Sequence, residues 1–501
     1  MAVVIAIDAG TTGVRAFALG DNGVPLGYSY REFGQYFPQP GWVEHDAGEI
    51  LAVTQLVLAE LVAKLGEVTI VALGITNQRE TTVAWSRSTG QPFARAIVWQ
   101  DRRTADRCAD LRAAGHEQRI REITGLVTDP YFSATKMAWL YEHADVPRNS
   151  DTAFGTIDTW LLWNLTGGAH GGVFATEPSN ASRTMLMDLA TLEWSEECLE
   201  LFDVDRSSLP DIRSSSERYG MTQPDCAAGL TVPISGIAGD QQAALFGQGC
   251  FEPGMTKNTY GTGSFVLTNL GTVLPDPVPG LLNTVAWKLG DAPAHYAMEG
   301  AIFITGAAVQ WLRDGLGIIE HASETEALAL SVPDAGGVVI VPAFAGLGSP
   351  HWDAEARGTI FGITRGSTRA NLARAVLESM VHQTNDVLEA ITAASGVAPL
   401  ELRVDGGASA MDSMCQMQAD VSGIPVRRSA VAETTALGAA YLAGIAEGVW
   451  DSPAAVSKAW HDSGRFEPTE ERLFIDLGIA TWKNAVERTR SSYSAAGAGG
   501  R

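Results

Sequence analysis

The sequence predicts an α/β protein of two similarly built domains, and three observations support this prediction. Short apolar runs typical of buried strands alternate with helical patterns in both halves of the chain. A Gly-Thr hairpin at positions 3–19 is echoed by a second one at 254–270. The chain has 501 residues, too many for one core, and its 46% hydrophobic and 19% charged residues indicate a compact fold.

The first hairpin has the composition of a phosphate-binding turn. A buried strand at 3–7 leads to glycines that let backbone amides approach an anion closely, and these are followed by hydroxyls and a cation. The predicted phosphate donors are Gly10, Thr11, Thr12, Gly13 and Arg15. Asp8 at the strand end would repel a phosphate, so it indicates a bridging Mg²⁺ whose shell contains water.

The second hairpin repeats the order of strand, Gly-Thr turn and strand. Its turn reads Tyr260-Gly261-Thr262-Gly263-Ser264. Two such turns, half a chain apart, are expected to face each other across a cleft that holds phosphate.

The composition also bounds the partners and the compartment. A formal charge of −23 argues against nucleic acid and anionic membranes, because a negative field repels polyanions. The five cysteines are scattered without a CxxC pair, which is typical of reduced thiols in a cytosol. The N-terminus has no basic leader, and no apolar run approaches the roughly 20 residues of a membrane span. We therefore expect a cytoplasmic protein that does not insert stably into membranes.

The remaining elements follow from periodicity and turn residues. One predicted helix begins at Asp46. Four more span 241–247, 305–316, 371–392 and 434–447, and the last of these is crowded with Ala and Gly. Predicted strands span 69–76, 97–99, 232–238, 338–341 and 402–404. The best linker, 247–254, divides the chain into domains at 1–248 and 249–501, and the Ser-, Ala- and Gly-rich tail at 491–501 is expected to be disordered.

Further motifs, in order with the two hairpins, resemble the FGGY carbohydrate kinases from end to end. They are Asn77-Gln78-Arg79-Glu80-Thr81, Gly239-Asp240-Gln241-Gln242 and Asp405-Gly406-Gly407. Stretches at 131–136 and 358–378 resemble the same family, and those at 41–46, 180–185 and 341–344 resemble its members that phosphorylate glycerol. The resemblance implies two actin-like (ribonuclease H-like) domains around an ATP cleft, and a homo-oligomer, either a dimer or a tetramer.

The resemblance also implies an activity, the ATP-dependent phosphorylation of glycerol to sn-glycerol 3-phosphate by in-line transfer, with Asp240 as general base. The implied glycerol-binding residues are Arg79, Glu80, Trp99, Tyr131, Asp240, Gln241 and Phe265. The implied ATP contacts are Thr11, Thr12, Gly13, Arg15, Thr262, Gly306, Gln310, Gly407 and Met411, with Asp8 for Mg²⁺. Lys136 and Lys257 receive no role, because lysines beside a motif are usually solvated.

Three positions depart from the pattern of the glycerol-phosphorylating members. Ala9 and Gly13 replace the usual Gln and Ser of the first hairpin, and Met411 replaces an Asn that faces adenine. An FGGY kinase for another short polyol or ketose is therefore an alternative, and a non-catalytic actin-like nucleotide-binding protein is a second one. Without the resemblance, Arg79 and Glu80 would be interpreted as a surface ion pair and Asp240 as a helix N-cap.

Overall fold

The computed structural model describes residues 1–469 and 472–491, and the predicted disordered tail from 492 onward lies outside them. Two mixed β-sheets form the framework. The strands of the first sheet are β1 (Ala2–Ala9), β2 (Gly13–Gly20), β3 (Pro25–Glu32), β4 (Thr69–Asn77), β5 (Ser216–Met221) and β6 (Pro233–Gly239). The strands of the second are β7 (Met255–Tyr260), β8 (Ser264–Gly271), β9 (Leu282–Trp287), β10 (His295–Ile302), β11 (Glu401–Asp405), β12 (Val426–Ser429) and β13 (Asp462–Phe466).

The two sheets share a core of five strands. The first sheet runs β5-β6-β4-β1-β2-β3 and the second β9-β10-β8-β7-β11-β12-β13. In each core, three antiparallel strands are followed by two parallel strands, namely β3-β2-β1-β4-β6 and β10-β8-β7-β11-β12. This repeat confirms the predicted α/β fold of two similarly built units.

Helices cover the sheets and fill the space between them. They are α1 (Ala47–Leu65), α2 (Ala105–Ala113), α3 (Glu117–Thr124), α4 (Ser133–His143), α5 (Ile157–Leu165), α6 (Pro178–Ala181), α7 (Glu196–Phe202), α8 (Asp240–Gly247), α9 (Gly306–Gln310), α10 (Glu324–Leu330), α11 (Arg369–Ser395), α12 (Asp412–Ser422), α13 (Thr434–Ala446), α14 (Pro453–Ala459) and α15 (Arg472–Thr489). Short ribbons lie outside the sheets at Glu44–His45 with Ala96–Ile97, Val83–Ser86 with Thr152–Gly155, Ala175–Thr176 with Asp211–Ile212, Met187–Asp188 with Glu193–Trp194, and Val339–Val341 with Thr359–Phe361.

Most predicted elements are present, and three differ from the prediction. The helix predicted at 305–316 is α9 followed by a π-helical turn at Trp311–Gly315. The strand predicted at 97–99 is only Ala96–Ile97. The predicted N-cap role of Asp240 is wrong, because Gly239 is the N-cap and Asp240 is the first residue of α8.

Helix α13 packs against the sheet of the opposite half of the chain. A Cβ added to Gly74 of β4 would lie 2.2 Å from the carbonyl oxygen of Ala439, and one added to Gly438 would lie 1.8 Å from that of Ala243 in α8. The small residues of this helix therefore let its backbone approach β4 and α8 closely. The division at 248/249 stays a prediction, because one apolar core contains residues of both sheets and of α13.

The described residues include no helix long and apolar enough to cross a membrane. All five cysteines are free, as predicted, and four of them are buried.

Candidate active site

The polar side chains that the sequence predicts for the site lie where parallel strands of the first sheet end. Asp8 is the last residue but one of β1, Arg79 and Glu80 follow β4, and Asp240 follows β6. The carboxyl ends of parallel strands are the usual location of ligand sites in α/β sheets. This topology brings residues that are up to about half a chain apart to one edge.

Arg79 is the central cation of this site. Its guanidinium donates two hydrogen bonds to Glu299, of 2.5 and 3.1 Å, and its Nε lies 3.2 Å from Oδ1 of Asp240. Gly239 makes room for the side chain, because a Cβ there would lie 2.8 Å from Cγ and Cδ of Arg79. The side chain is 2% exposed, so the interpretation of Arg79 and Glu80 as a surface ion pair is wrong.

Glu80 is held by a second buried arginine. Nε of Arg183 donates to Oε1 of Glu80 at 2.7 Å, and Nη2 of Arg183 donates to Glu299 at 3.1 Å. Glu80 has a φ of 62°, in the left-handed region that non-glycine residues rarely adopt. Such strain persists where the surroundings impose it, and it is common at functional sites.

Charges in the cluster balance. Asp240, Glu80 and Glu299 are matched by Arg79, Arg183 and Lys257. Burial would raise the pKa of Glu299, but the neighbouring guanidiniums hold it down to about 2. This carboxylate, on β10 of the second sheet, therefore remains ionised and joins the two arginines.

The pKa of Asp240 is raised by burial and lowered by Arg79, Lys257 and the Gln241 backbone N–H. Burial therefore opposes ionisation of this carboxylate, and the two side-chain cations favour it. Asp240 is nonetheless 27% exposed, more than the other charged members of the cluster, Arg79, Glu80, Arg183, Lys257 and Glu299. Its carboxylate can therefore reach a ligand.

The two lysines that sequence reasoning treats as solvated are both buried, which corrects that expectation. Lys257 donates hydrogen bonds to Oε1 of Gln241 and, at 3.2 Å, to Oγ1 of Thr259. Burial lowers its pKa to about 8. Lys136 donates to three backbone carbonyls at 130–132, so it organises the loop that carries Tyr131.

Three predicted aromatic residues line the same region. The rings of Trp99 and Tyr131 meet edge to face at 5.5 Å, and Phe265 lies 6.0 Å below the guanidinium of Arg79. Burial raises the pKa of Tyr131 above its usual range, so its hydroxyl stays a donor. Nε1 of Trp99 donates to Oγ1 of Thr11 at 3.0 Å, which connects this wall to the first hairpin.

The first hairpin places a carboxylate beside a cation. Asp8 lies opposite Arg15 in the β1–β2 register, and Nη1 of Arg15 is 3.9 Å from Glu433. Burial raises the pKa of Asp8 to about 6, and Asp240 and Glu433 add to the rise while Arg15 opposes it. Asp8 therefore lacks compensating positive charge, which a divalent cation would supply.

The turn of the second hairpin is bonded to the start of α9. The backbone N–H of Gly306 donates to the carbonyl of Gly261, and those of Thr305 and Ala307 donate to that of Thr262, so the first amides of α9 are already bonded. Thr262 and Gln310 are exposed, on the turn and on the last residue of α9 respectively.

A cavity of about 490 Å³ opens beside Gly406 and Gly407, at the end of β11. Asp405, Ser409 and Arg428 supply polar atoms to its wall. Met411, predicted near the adenine, is half-buried and packs against the core of the second half as the N-cap of α12.

The fold and this site define an α/β kinase of the sugar-kinase type, with two related sheets around a polar cleft. The family models of FGGY carbohydrate kinases match the chain, the N-terminal domain at residues 3–247 and the C-terminal domain at 256–447. The chain belongs to the FGGY family of carbohydrate kinases.

Individual relatives agree with this assignment. The chain is 52% identical to a glycerol kinase of Xanthomonas euvesicatoria and 51% identical to one of Carboxydothermus hydrogenoformans, each over 97% of this chain and 98% of the relative. A crystal structure of Plasmodium falciparum glycerol kinase with ADP matches with a TM-score of 0.93 and 34% identity, over 98% of both chains. A xylulose kinase from Lactobacillus acidophilus, at 20% identity and a TM-score of 0.89, shares the fold.

Sequence reasoning missed three charged members of the site. Glu299 and Arg183 each bond predicted site residues, and Lys257 is a buried cation that was set aside. Arg183 lies inside the 180–185 stretch that resembles the family, so its motif was a usable signal. Glu299 lies in a strand with no polar pattern, and no local signal identifies it.

Proposed function

We propose that the protein transfers the γ-phosphoryl group of ATP to glycerol and forms sn-glycerol 3-phosphate. The observation that carries the proposal is the buried cluster in which Arg79 and Glu80, able to bind neighbouring hydroxyls, adjoin the partly exposed carboxylate of Asp240. The relatives named glycerol kinase, which match over nearly the full length of the chain, support the same substrate.

Glycerol binding follows from the donors and acceptors that this cluster presents. Arg79 and Tyr131 donate to hydroxyl oxygens, and Glu80 accepts from a hydroxyl proton. Lys257 can only donate, so Oε1 of Gln241 is occupied as the acceptor of its hydrogen bond. The amide NH₂ of Gln241 is left to donate to the substrate. Trp99 and Phe265 pack against the carbon chain.

The chemical step is an in-line displacement. Asp240 accepts the proton of the attacking hydroxyl while the bond from that oxygen to the γ-phosphorus forms and the bond to the bridging oxygen of ADP breaks. Arg79, 3.2 Å from Asp240, stabilises the ionised base before transfer. Because glycerol resembles water, the aromatic residues serve to exclude water from the phosphoryl group.

The two hairpins are proposed to bind the nucleotide. Thr11, Thr12, Gly13, Arg15 and Thr262 contact the phosphates. The ribose and base lie toward α9 and the 490 Å³ cavity, near Gly306, Gln310, Gly407 and Met411. Asp8 would hold Mg²⁺ through water, and the ion would neutralise charge on the phosphates.

The domain division, the location and the assembly are part of the proposal as well. The division at 248/249 and the cytoplasmic location are carried over from the sequence, and the dimer or tetramer is what the family resemblance implies.

ADP release tests this function directly. The protein, Mg²⁺ and ATP are combined with glycerol, dihydroxyacetone, erythritol, ribitol or xylulose, and Asp240→Asn serves as the inactive control. We expect a clear preference for glycerol and a loss of turnover of roughly 10²- to 10⁴-fold in Asp240→Asn, with ADP binding retained. Preference for another polyol would overturn the substrate but keep the mechanism, and near-normal turnover of Asp240→Asn would remove Asp240 from it.

A further inference from the structure

Tyr30 lies in the first sheet beside the Gly-Thr hairpin, and the proposed function assigns it no role. In the register of β1, β2 and β3, Asp8 is opposite Arg15 and Arg15 is opposite Tyr30. Residues paired across antiparallel strands project from the same face of the sheet. A carboxylate, a guanidinium and a phenol therefore form one row, of which the first two are proposed to serve Mg²⁺ and phosphate.

The hydroxyl of Tyr30 reaches the turn itself. A Cβ added to Gly13 would lie 2.6 Å from the Tyr30 oxygen, so the hydroxyl sits directly over this glycine. On its other side, Oγ1 of Thr12 is 3.5 Å away. That separation is at the long limit of a hydrogen bond, so the Tyr30 proton is free to turn toward a better acceptor.

Two further observations favour an anion as that acceptor. The guanidinium of Arg15 lies 5.6 Å from the Tyr30 ring, which steadies the phenol while leaving it 39% exposed. Nε of Arg15 is buried without a hydrogen-bond partner among the described residues. Buried donors of this kind are normally satisfied, so Arg15, in the middle of the row, lacks an acceptor that a ligand would provide.

The turn residue itself cannot supply a side-chain donor here. No side chain fits at Gly13, because a Cβ would lie 2.5 Å from the Arg31 carbonyl oxygen. The Tyr30 oxygen occupies the space beside that position instead. We propose that the Tyr30 hydroxyl is a phosphate-binding group that donates a hydrogen bond to the phosphate chain of the nucleotide, an inference that rests on the proposed function.

Calorimetric titration with nucleotides tests this role without measuring catalysis. Tyr30→Phe removes only the hydroxyl, and Tyr28→Phe is the matched control, because that ring also lies near the Arg15 guanidinium, at 5.3 Å, on the same strand. The ligands are AMP-PNP, ADP and, at millimolar concentration, adenosine, all with Mg²⁺. We expect Tyr30→Phe to bind the two phosphorylated ligands about 10-fold more weakly and adenosine unchanged. Tyr28→Phe should match the wild-type protein throughout.

The other outcomes are distinct. Unchanged affinity of Tyr30→Phe for ADP and AMP-PNP would overturn the role of Tyr30. The proposed function would still stand in that case if the wild-type protein binds nucleotide and phosphorylates glycerol. An equal loss for adenosine would overturn it too, since the hydroxyl would then act through packing. A wild-type protein that binds neither phosphorylated ligand would overturn both.

Discussion

At the scale of single residues, the ionisation of Asp240 depends on cations supplied by distant segments. Burial raises the pKa of this carboxyl group, and Arg79 and Lys257 oppose the rise. A general base works only in its ionised form. Lys257 therefore has two tasks in the proposed mechanism, to hold Gln241 and to keep Asp240 charged.

Lys257→Met should shift the acid limb of the pH profile of kcat/KM for glycerol. Without the lysine charge the pKa of Asp240 rises, so the ionised fraction is lost at a higher pH as the solution is acidified. We expect a displacement of about one pH unit to higher pH, together with a raised KM for glycerol because Gln241 loses its partner.

Lys257→Arg is the control for this experiment, since it keeps the charge and the donors. It should leave the acid limb near its original pH even if packing costs some activity. An unshifted profile in Lys257→Met would show that Arg79 alone sets the charge of Asp240.

At the scale of elements, helix α13 couples the two halves through backbone contacts. Its glycines and alanines let it lie directly on β4, β6 and α8, where a Cβ at Gly236 would be 2.3 Å from the Ala443 nitrogen and one at Gly247 2.0 Å from the Thr434 oxygen. Such contacts leave no room for a side chain at these glycines. Glu433, just before this helix, also faces Arg15 of the first hairpin, so the position of α13 sets the charge around the phosphate turn.

Gly438→Ala tests this packing against a helical glycine in open space. The new Cβ would lie 1.8 Å from the Ala243 oxygen, so α13 must move, and we expect a loss of about 2 kcal/mol or more in unfolding free energy. Gly478→Ala in α15 is the matched control, because its nearest neighbour is 4.0 Å away and alanine favours helix, by up to about 1 kcal/mol. Unfolding midpoints in urea should move in opposite directions, and equal midpoints would contradict the close packing of α13.

At the scale of the whole molecule, charged contacts cross between the two halves at the base of the cleft. Glu299 of the second sheet binds Arg79 and Arg183 of the first half, all three buried. Removing one partner from a buried ion pair typically costs about 3–5 kcal/mol in stability. These ion pairs therefore hold the two halves together at the base of the cleft, and any narrowing of the cleft takes place above them. We expect the linker at 247–254, which joins the two predicted domains, to act as the hinge of this movement.

Closure of the cleft is expected when both substrates are bound. Small-angle X-ray scattering should give a smaller radius of gyration with glycerol plus AMP-PNP than with either ligand alone, because closure excludes water from the phosphoryl group. The single-ligand samples are the controls. An unchanged radius in the ternary sample would count against closure and favour a cleft that is already in its catalytic form.

Much of the fold and part of the site could be predicted from the sequence because their signals are local. The Gly-Thr turns at 10–13 and 261–263, the apolar strands before them and the helix cap at Asp46 are all contained in a few neighbouring residues. Asp8 was found from its place near the end of a strand, and Arg79, Glu80 and Asp240 were found because they lie in short motifs that resemble the FGGY family. The sequence by itself therefore determined the repeated α/β plan and the strand ends that carry the polar groups.

Only the tertiary structure decided which charges meet. Arg79 and Glu299 are 220 residues apart, and Arg183 and Glu80 are 103 apart, distances over which no periodicity connects them. Burial of Lys257 and the docking of α13 on the first sheet likewise follow from how the two sheets approach. Burial and ion pairing depend on how separate elements pack against each other, and that packing cannot be read from any one segment of the sequence.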